Sequence, residues 1–117
     1  MVTVSLKNEV SEHKREFTGD YKISEIVNGK PSWKSGENAI WYAPVDNNWL
    51  IGYLNKLGED DGEFFAPNNY GGLTDNRNVW NYYNNTDSTW ITPSDSNDVI
   101  ISSSGGKESK CVHKTEI

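Results

Sequence analysis

Apolar and polar positions alternate in short runs along this 117-residue chain. Val2-Thr3-Val4-Ser5-Leu6 has the period-two pattern of a strand with one apolar face, and reads as a short edge strand. Residues 7–16 break the pattern with Glu9, Glu12, Lys14, Arg15 and Glu16, and read as a charged loop in preference to a turn of helix. Phe17-Thr18-Gly19-Asp20 makes a turn, and the alternation resumes over residues 21–27. Asn28-Gly29 then supplies two residues that tolerate the positive φ of a type I′ hairpin turn, so residues 30–34 are expected to fold back on the preceding strand. Pro31 has no amide hydrogen to give to a ladder, which puts this strand at an edge or delays its entry into the sheet.

Further strands are expected at 39–42, 49–54, 63–66, 79–83, 88–91 and 98–102. Turns rich in Gly, Asn, Asp, Ser and Pro separate them, together with a long loop over residues 68–78. Strands recurring every eight to twelve residues or so, with no sustained helical period, predict an all-β fold: a single small antiparallel β-sandwich or barrel of about eight short strands. Residues 1–16 form an N-terminal edge strand and charged loop, 17–102 the aromatic-rich β domain, and 103–117 a flexible C-terminal tail of linker composition.

Composition changes this picture in one respect. The apolar fraction is 34% and the mean hydropathy −0.76, so aliphatic residues alone would build a thin core. Five tryptophans, six tyrosines and three phenylalanines compensate, because each ring can bury roughly 150–250 Å². Trp33, Trp49, Ile51 and Trp90 read mainly as core. Adjacent aromatics at Trp41-Tyr42 and Tyr82-Tyr83 must point to opposite faces of a strand, so one member of each pair faces out or covers a second layer.

The succession Gly19-x-Tyr21, Asn28-Gly29-x-Pro31-x-Trp33, Ile40-Trp41-Tyr42, Trp49-x-Ile51-Gly52, Pro67, Trp80-x-Tyr82-Tyr83 and Trp90 resembles a small tryptophan-punctuated module. That module recurs, often as repeats, in large proteins of algae, protists and aquatic invertebrates. The resemblance covers residues 17–101; it implies a small β fold and brings no activity with it.

Charge narrows the partners. A net charge of −6 repels nucleic acid and anionic membrane surfaces, and no apolar stretch approaches the roughly 20 residues that span a bilayer. The single Cys111 excludes an intrachain disulfide framework, and Cys111-x-His113 offers too few ligands for zinc. The acidic runs at 59–63 and 95–98 have oxygen ligands but not the spacing of an EF-hand loop, so no metal or other cofactor is expected. No nucleophile elbow or phosphate-cradling glycine loop is present, and a non-enzymatic role is expected. Asn84-Asn85-Thr86 matches a glycosylation triplet, common by chance in an Asn-rich chain.

What remains is binding. Trp and Tyr rings stack on the apolar faces of sugars while Asn, Asp and Gly groups bond the hydroxyls. Candidate ligand-binding residues are Trp41, Tyr42, Tyr70, Trp80, Tyr82 and Tyr83, with Asp46, Asn47, Asn68, Asn69, Asp75, Asn76 and Asn78 in adjacent loops. The expected function is a lectin-like, carbohydrate-binding module. The alternative is a structural or protein-protein interaction module that self-assembles as a homo-oligomer through strand edges and aromatics. The chain is expected to be soluble, in the cytoplasm or secreted after loss of a leader.

Overall fold

In a computed structural model that describes residues 1–103, the chain forms nine antiparallel strands in one curled, half-barrel sheet. The strands are β1 (Val2–Leu6), β2 (Gly19–Val27), β3 (Lys30–Ser35), β4 (Asn38–Ala43), β5 (Asn48–Tyr53), β6 (Phe64–Pro67), β7 (Asn81–Asn84), β8 (Thr89–Ile91) and β9 (Val99–Ser103). From β1 to β8 each strand pairs with the next, and β9 returns to lie beside β1, so β8 and β9 are the two edges. The turn at Asn28-Gly29 has the positive φ values its sequence requires, 54° and 84°. Residues 104–117, with Cys111, His113 and all of the expected tail but Ser103, which belongs to β9, lie outside the described residues.

Two expectations are corrected, and a third resolves to one of its alternatives. β1 is not an edge strand, because β9 pairs with it along its whole length from Val2↔Ser103 to Leu6↔Val99. The charged segment is not a loop: Asn8–Lys14 forms helix α1, followed by a 3₁₀ turn at Arg15–Phe17. Its buried face is Val10, Lys14 and Phe17 at helical spacing, and the middle member is a lysine, which hides the face from an apolar count. Lys14 is tolerated there because its Nζ donates to Glu63 Oε1 at 2.6 Å. Of the two alternatives for β3, late entry holds, and the strand is interior. Its ladder with β4 starts only at Trp33↔Ile40, beyond Pro31, and on the other side a bulge between Ile23 and Ile26 absorbs the irregularity. The bulge also holds Ser32, whose buried hydroxyl donates to the Glu25 carbonyl at 2.6 Å.

The sheet has two differently covered faces. On the inner face, Trp33, Ile40, Ile51, Phe64, Tyr82 and Ile91 stand opposite one another across β3 to β8. This row joins Val2, Val4, Tyr21, Val99 and Ile101, and α1 adds Val10 to the same cluster, as the 3₁₀ turn adds Phe17. On the outer face, Ala39, Trp41, Ala43 and Leu50 form a second cluster covered by Leu54 and Leu57 from the β5–β6 connection. Gly52 permits this cover, since a Cβ there would lie 3.0 Å from the Gly62 Cα and 3.1 Å from the Trp41 ring.

Candidate functional site

The structure divides the sequence-predicted residues into separate places. Trp80 and Tyr82 lie in the inner core, and Trp41 is fully buried in the outer cluster, where its Nε1 donates to the Glu59 carbonyl at 2.9 Å. The adjacent aromatics do face opposite ways, with Tyr42 packed on the inner cluster behind Trp41. Facing away from the main core is not the same as facing solvent, because the β5–β6 connection covers Trp41. Tyr82 donates its hydroxyl to Glu9 Oε1 at 3.2 Å, and burial together with that carboxylate pushes its pKa up to about 12.

The Asn-rich loops spend many of their polar groups on their own conformation. Tyr42 donates its hydroxyl to Asn47 Oδ1 at 2.6 Å, Asn47 donates to the Asn68 carbonyl at 3.2 Å, and Trp49 Nε1 donates to Asn68 Oδ1 at 3.1 Å. Lys30 sits 5.0 Å above the Tyr42 ring. In the long loop, Asp75 accepts from the Gly71 and Arg77 main-chain N–H groups and from the Arg77 guanidinium. These bonds from Arg77 hold the Asp75 carboxyl well below the usual carboxylate range. Arg77 in turn lies 4.6 Å over the Tyr70 ring. Asn78 is buried and donates to the Gly72 and Leu73 carbonyls, while Asn69 and Asn76 are exposed.

Another grouping has the make-up of a ligand site. Beyond the reach of Leu54 and Leu57, the outer face continues as Phe65, Tyr83 and Trp90. The Trp90 ring meets Phe65 at 4.9 Å and Tyr83 at 5.2 Å between centroids, both in edge-to-face geometry, and remains 47% exposed. It borders a cleft of ≈ 500 Å³ lined by Asp46, Asn48, Leu50, Asp60, Asp61, Gly62 and Phe65. A rigid, half-bare indole beside carboxylate and carboxamide groups can stack on an apolar ring face and accept hydrogen bonds from its substituents.

Only Asp46 of the predicted loop residues lines this cleft, and Tyr83 supports it from below. Trp90, expected in the core, is on the surface. The missed signal is alternation in β8: Ile91 stands opposite Tyr82 on the inner face, so its neighbour Trp90 must face out. Asp60 and Asp61 were visible in sequence only as an acidic run, with nothing to bring them beside Asp46 and Trp90.

No family model, curated protein or solved structure matches the chain. Among the described residues, no three His, Cys, Asp or Glu side chains converge as a metal site, and no helix is long and apolar enough to cross a membrane.

Proposed function

We propose that this domain is a non-enzymatic carbohydrate-binding module whose ligand occupies the outer-face cleft. The observation that carries the reading is Trp90, half exposed at the rim of a cleft whose walls combine Leu50 and Phe65 with the hydroxyl-bonding Asp46, Asn48, Asp60 and Asp61. A sugar ring presents one apolar face and a girdle of hydroxyls. Trp90 matches the first, and Asp46, Asn48, Asp60 and Asp61 match the second. The edge-to-face contacts with Phe65 and Tyr83 fix the indole before a ligand arrives, so little side-chain entropy is lost on binding.

Tryptophan fluorescence tests this directly. Trp41, Trp49 and Trp80 are buried, Trp33 packs partly buried on the inner cluster, and Trp90 alone of the five lines the cleft, so a ligand-dependent change in emission reports chiefly on Trp90. A glycan array identifies the sugar, and titration of that sugar is expected to shift the emission saturably in the natural chain. Trp90→Ala is expected to weaken binding about tenfold or more, from the loss of about 1.4 kcal/mol of stacking. No response to any mono- or oligosaccharide refutes the reading.

A further inference from the structure

The two edges of the sheet are built differently. β8 is three residues long and runs into Thr92-Pro93, so a missing donor and short length blunt that edge. β9 is five residues long, Val99-Ile100-Ile101-Ser102-Ser103, with no charge and no proline. It pairs with β1 on one side, and among the described residues no strand pairs with the other. A half-barrel that stops short of closure leaves such an edge as a template for another strand.

The surroundings of β9 have room for one. A groove of ≈ 300 Å³ lies against residues 99–103, with Thr74, Asp75, Asn76, Asn78 and Trp80 in its far wall. Asn78 is 6% exposed, and its carboxamide oxygen has no hydrogen-bond donor among the described residues. Ile100 stands 37% exposed on the strand itself.

We propose that β9 pairs antiparallel with β9 of a second copy of this chain, joining two half-barrels into one continuous sheet across a two-fold axis. The sequence of the edge is self-complementary in that arrangement. A register centred on Ile101 sets Ile100 opposite Ser102 of the partner subunit and Val99 opposite Ser103 of the partner subunit, so no like charges meet. The nearest acid along the strand, Asp98, falls at opposite ends of the paired strands, and Asp75 in the groove wall is paired with Arg77. Six residues at about 3.4 Å each separate the two Asp98 positions along the strand by about 20 Å, against a screening length of about 8 Å at physiological salt. What opposes association is the net charge of −6 on each copy, spread over the rest of the surface. The dimer is therefore tighter at high salt, whereas a basic peptide held on the same edge by charge would bind more weakly there.

Sedimentation velocity on the full chain, from about 5 to about 500 µM and at low and high salt, tests this over the range of weak, transient interfaces. The expected result is a reversible monomer–dimer equilibrium that tightens with salt. Ile100→Lys and Ser102→Lys, both at exposed positions of β9, are each expected to raise the dimer Kd about tenfold or more by placing a charge on the pairing edge. Val45→Lys, in the exposed β4–β5 turn, is expected to leave it unchanged. Circular dichroism confirms that each variant is folded, and Ser102→Lys carries the test if Ile100→Lys does not fold. A monomer at every concentration, or a dimer indifferent to the folded edge variants, overturns the proposal.

Discussion

On the inner face, α1 and the 3₁₀ turn after it lay Val10, Lys14 and Phe17 over a row of side chains that crosses six strands; on the outer face, the β5–β6 connection reaches Trp41 and Leu50 and stops before Trp90. Both faces are rich in aromatics, so the difference is not one of composition. An aromatic of this sheet is core where a covering segment reaches it and surface where none does. Trp41 and Trp90 both project from the outer face, Trp41 from an interior strand beneath the cover and Trp90 from the edge strand beyond it.

The neighbours Phe64 and Phe65 give the strongest test of this asymmetry, since they sit in the same strand and point to opposite faces. Phe64 is fully buried in the middle of the inner row, and Phe64→Ala is expected to cost about 3–5 kcal/mol. Phe65→Ala, at a partly open site, is expected to cost no more than about half of that. Urea unfolding of the two variants decides the matter, and equal losses would mean that the outer face is as well covered as the inner one.

Next in size is the ion pair that lets α1 cover the inner face. The Lys14 and Glu63 side chains are 2% and 18% exposed. Glu63→Ala leaves a buried ammonium without its partner, and a cost of about 2–3 kcal/mol is expected, just under that for a fully buried pair. Lys14→Met is expected to cost less, because it removes the charge that has to be buried while filling similar space. On the other face, Gly52→Ala drives a methyl against Gly62 and Trp41, with an expected loss of about 1–3 kcal/mol and a red shift of Trp41 emission as its cover lifts.

The sequence and the structure agree most where the pattern is local. Period-two runs marked the strands, and Asn28-Gly29 marked its turn, because both signals depend on neighbours a few residues away. What was illegible depends on distant partners. Helix α1 was hidden because the middle of its buried face is Lys14, and only Glu63, 49 positions on, makes that burial tolerable. β1 looked like an edge because nothing in residues 2–6 announces that β9 will return beside it. The site suffered in the same way: Trp90 comes from β8, Asp46 from the β4–β5 turn and Asp60 from the β5–β6 connection, whereas the long Asn-rich loop ties up Asp75 and Asn78 in its own hydrogen bonds and Asn68 in one from Trp49.

A smaller effect comes from the tyrosines of the inner face. In the unfolded chain the Tyr82 hydroxyl ionises near its ordinary value of about 10, while in the fold it keeps its proton up to about 12. Between those values the unfolded state binds fewer protons, so stability falls as pH rises through that window. Burial pushes Tyr21 up in the same direction and adds to the slope. Urea midpoints measured from about pH 9 to about pH 11.5 are expected to decline, and less steeply in Tyr82→Phe. An equal slope in that variant would assign the alkaline loss to other groups.

The smallest expected effect on stability belongs to Trp90, and its smallness is what makes it informative. Trp90→Ala removes two edge-to-face contacts but uncovers no buried cluster, so its cost is expected to stay within about 1 kcal/mol. The same substitution is expected to weaken sugar binding about tenfold or more, read by titration calorimetry because the reporting indole is gone. A loss comparable to Phe64→Ala would instead place Trp90 in the core and remove the ground for a stacking platform. Stability kept and binding lost is the pattern of a ring held ready at the surface, since core packing and ligand stacking draw on the same chemistry and differ here only in what covers the ring.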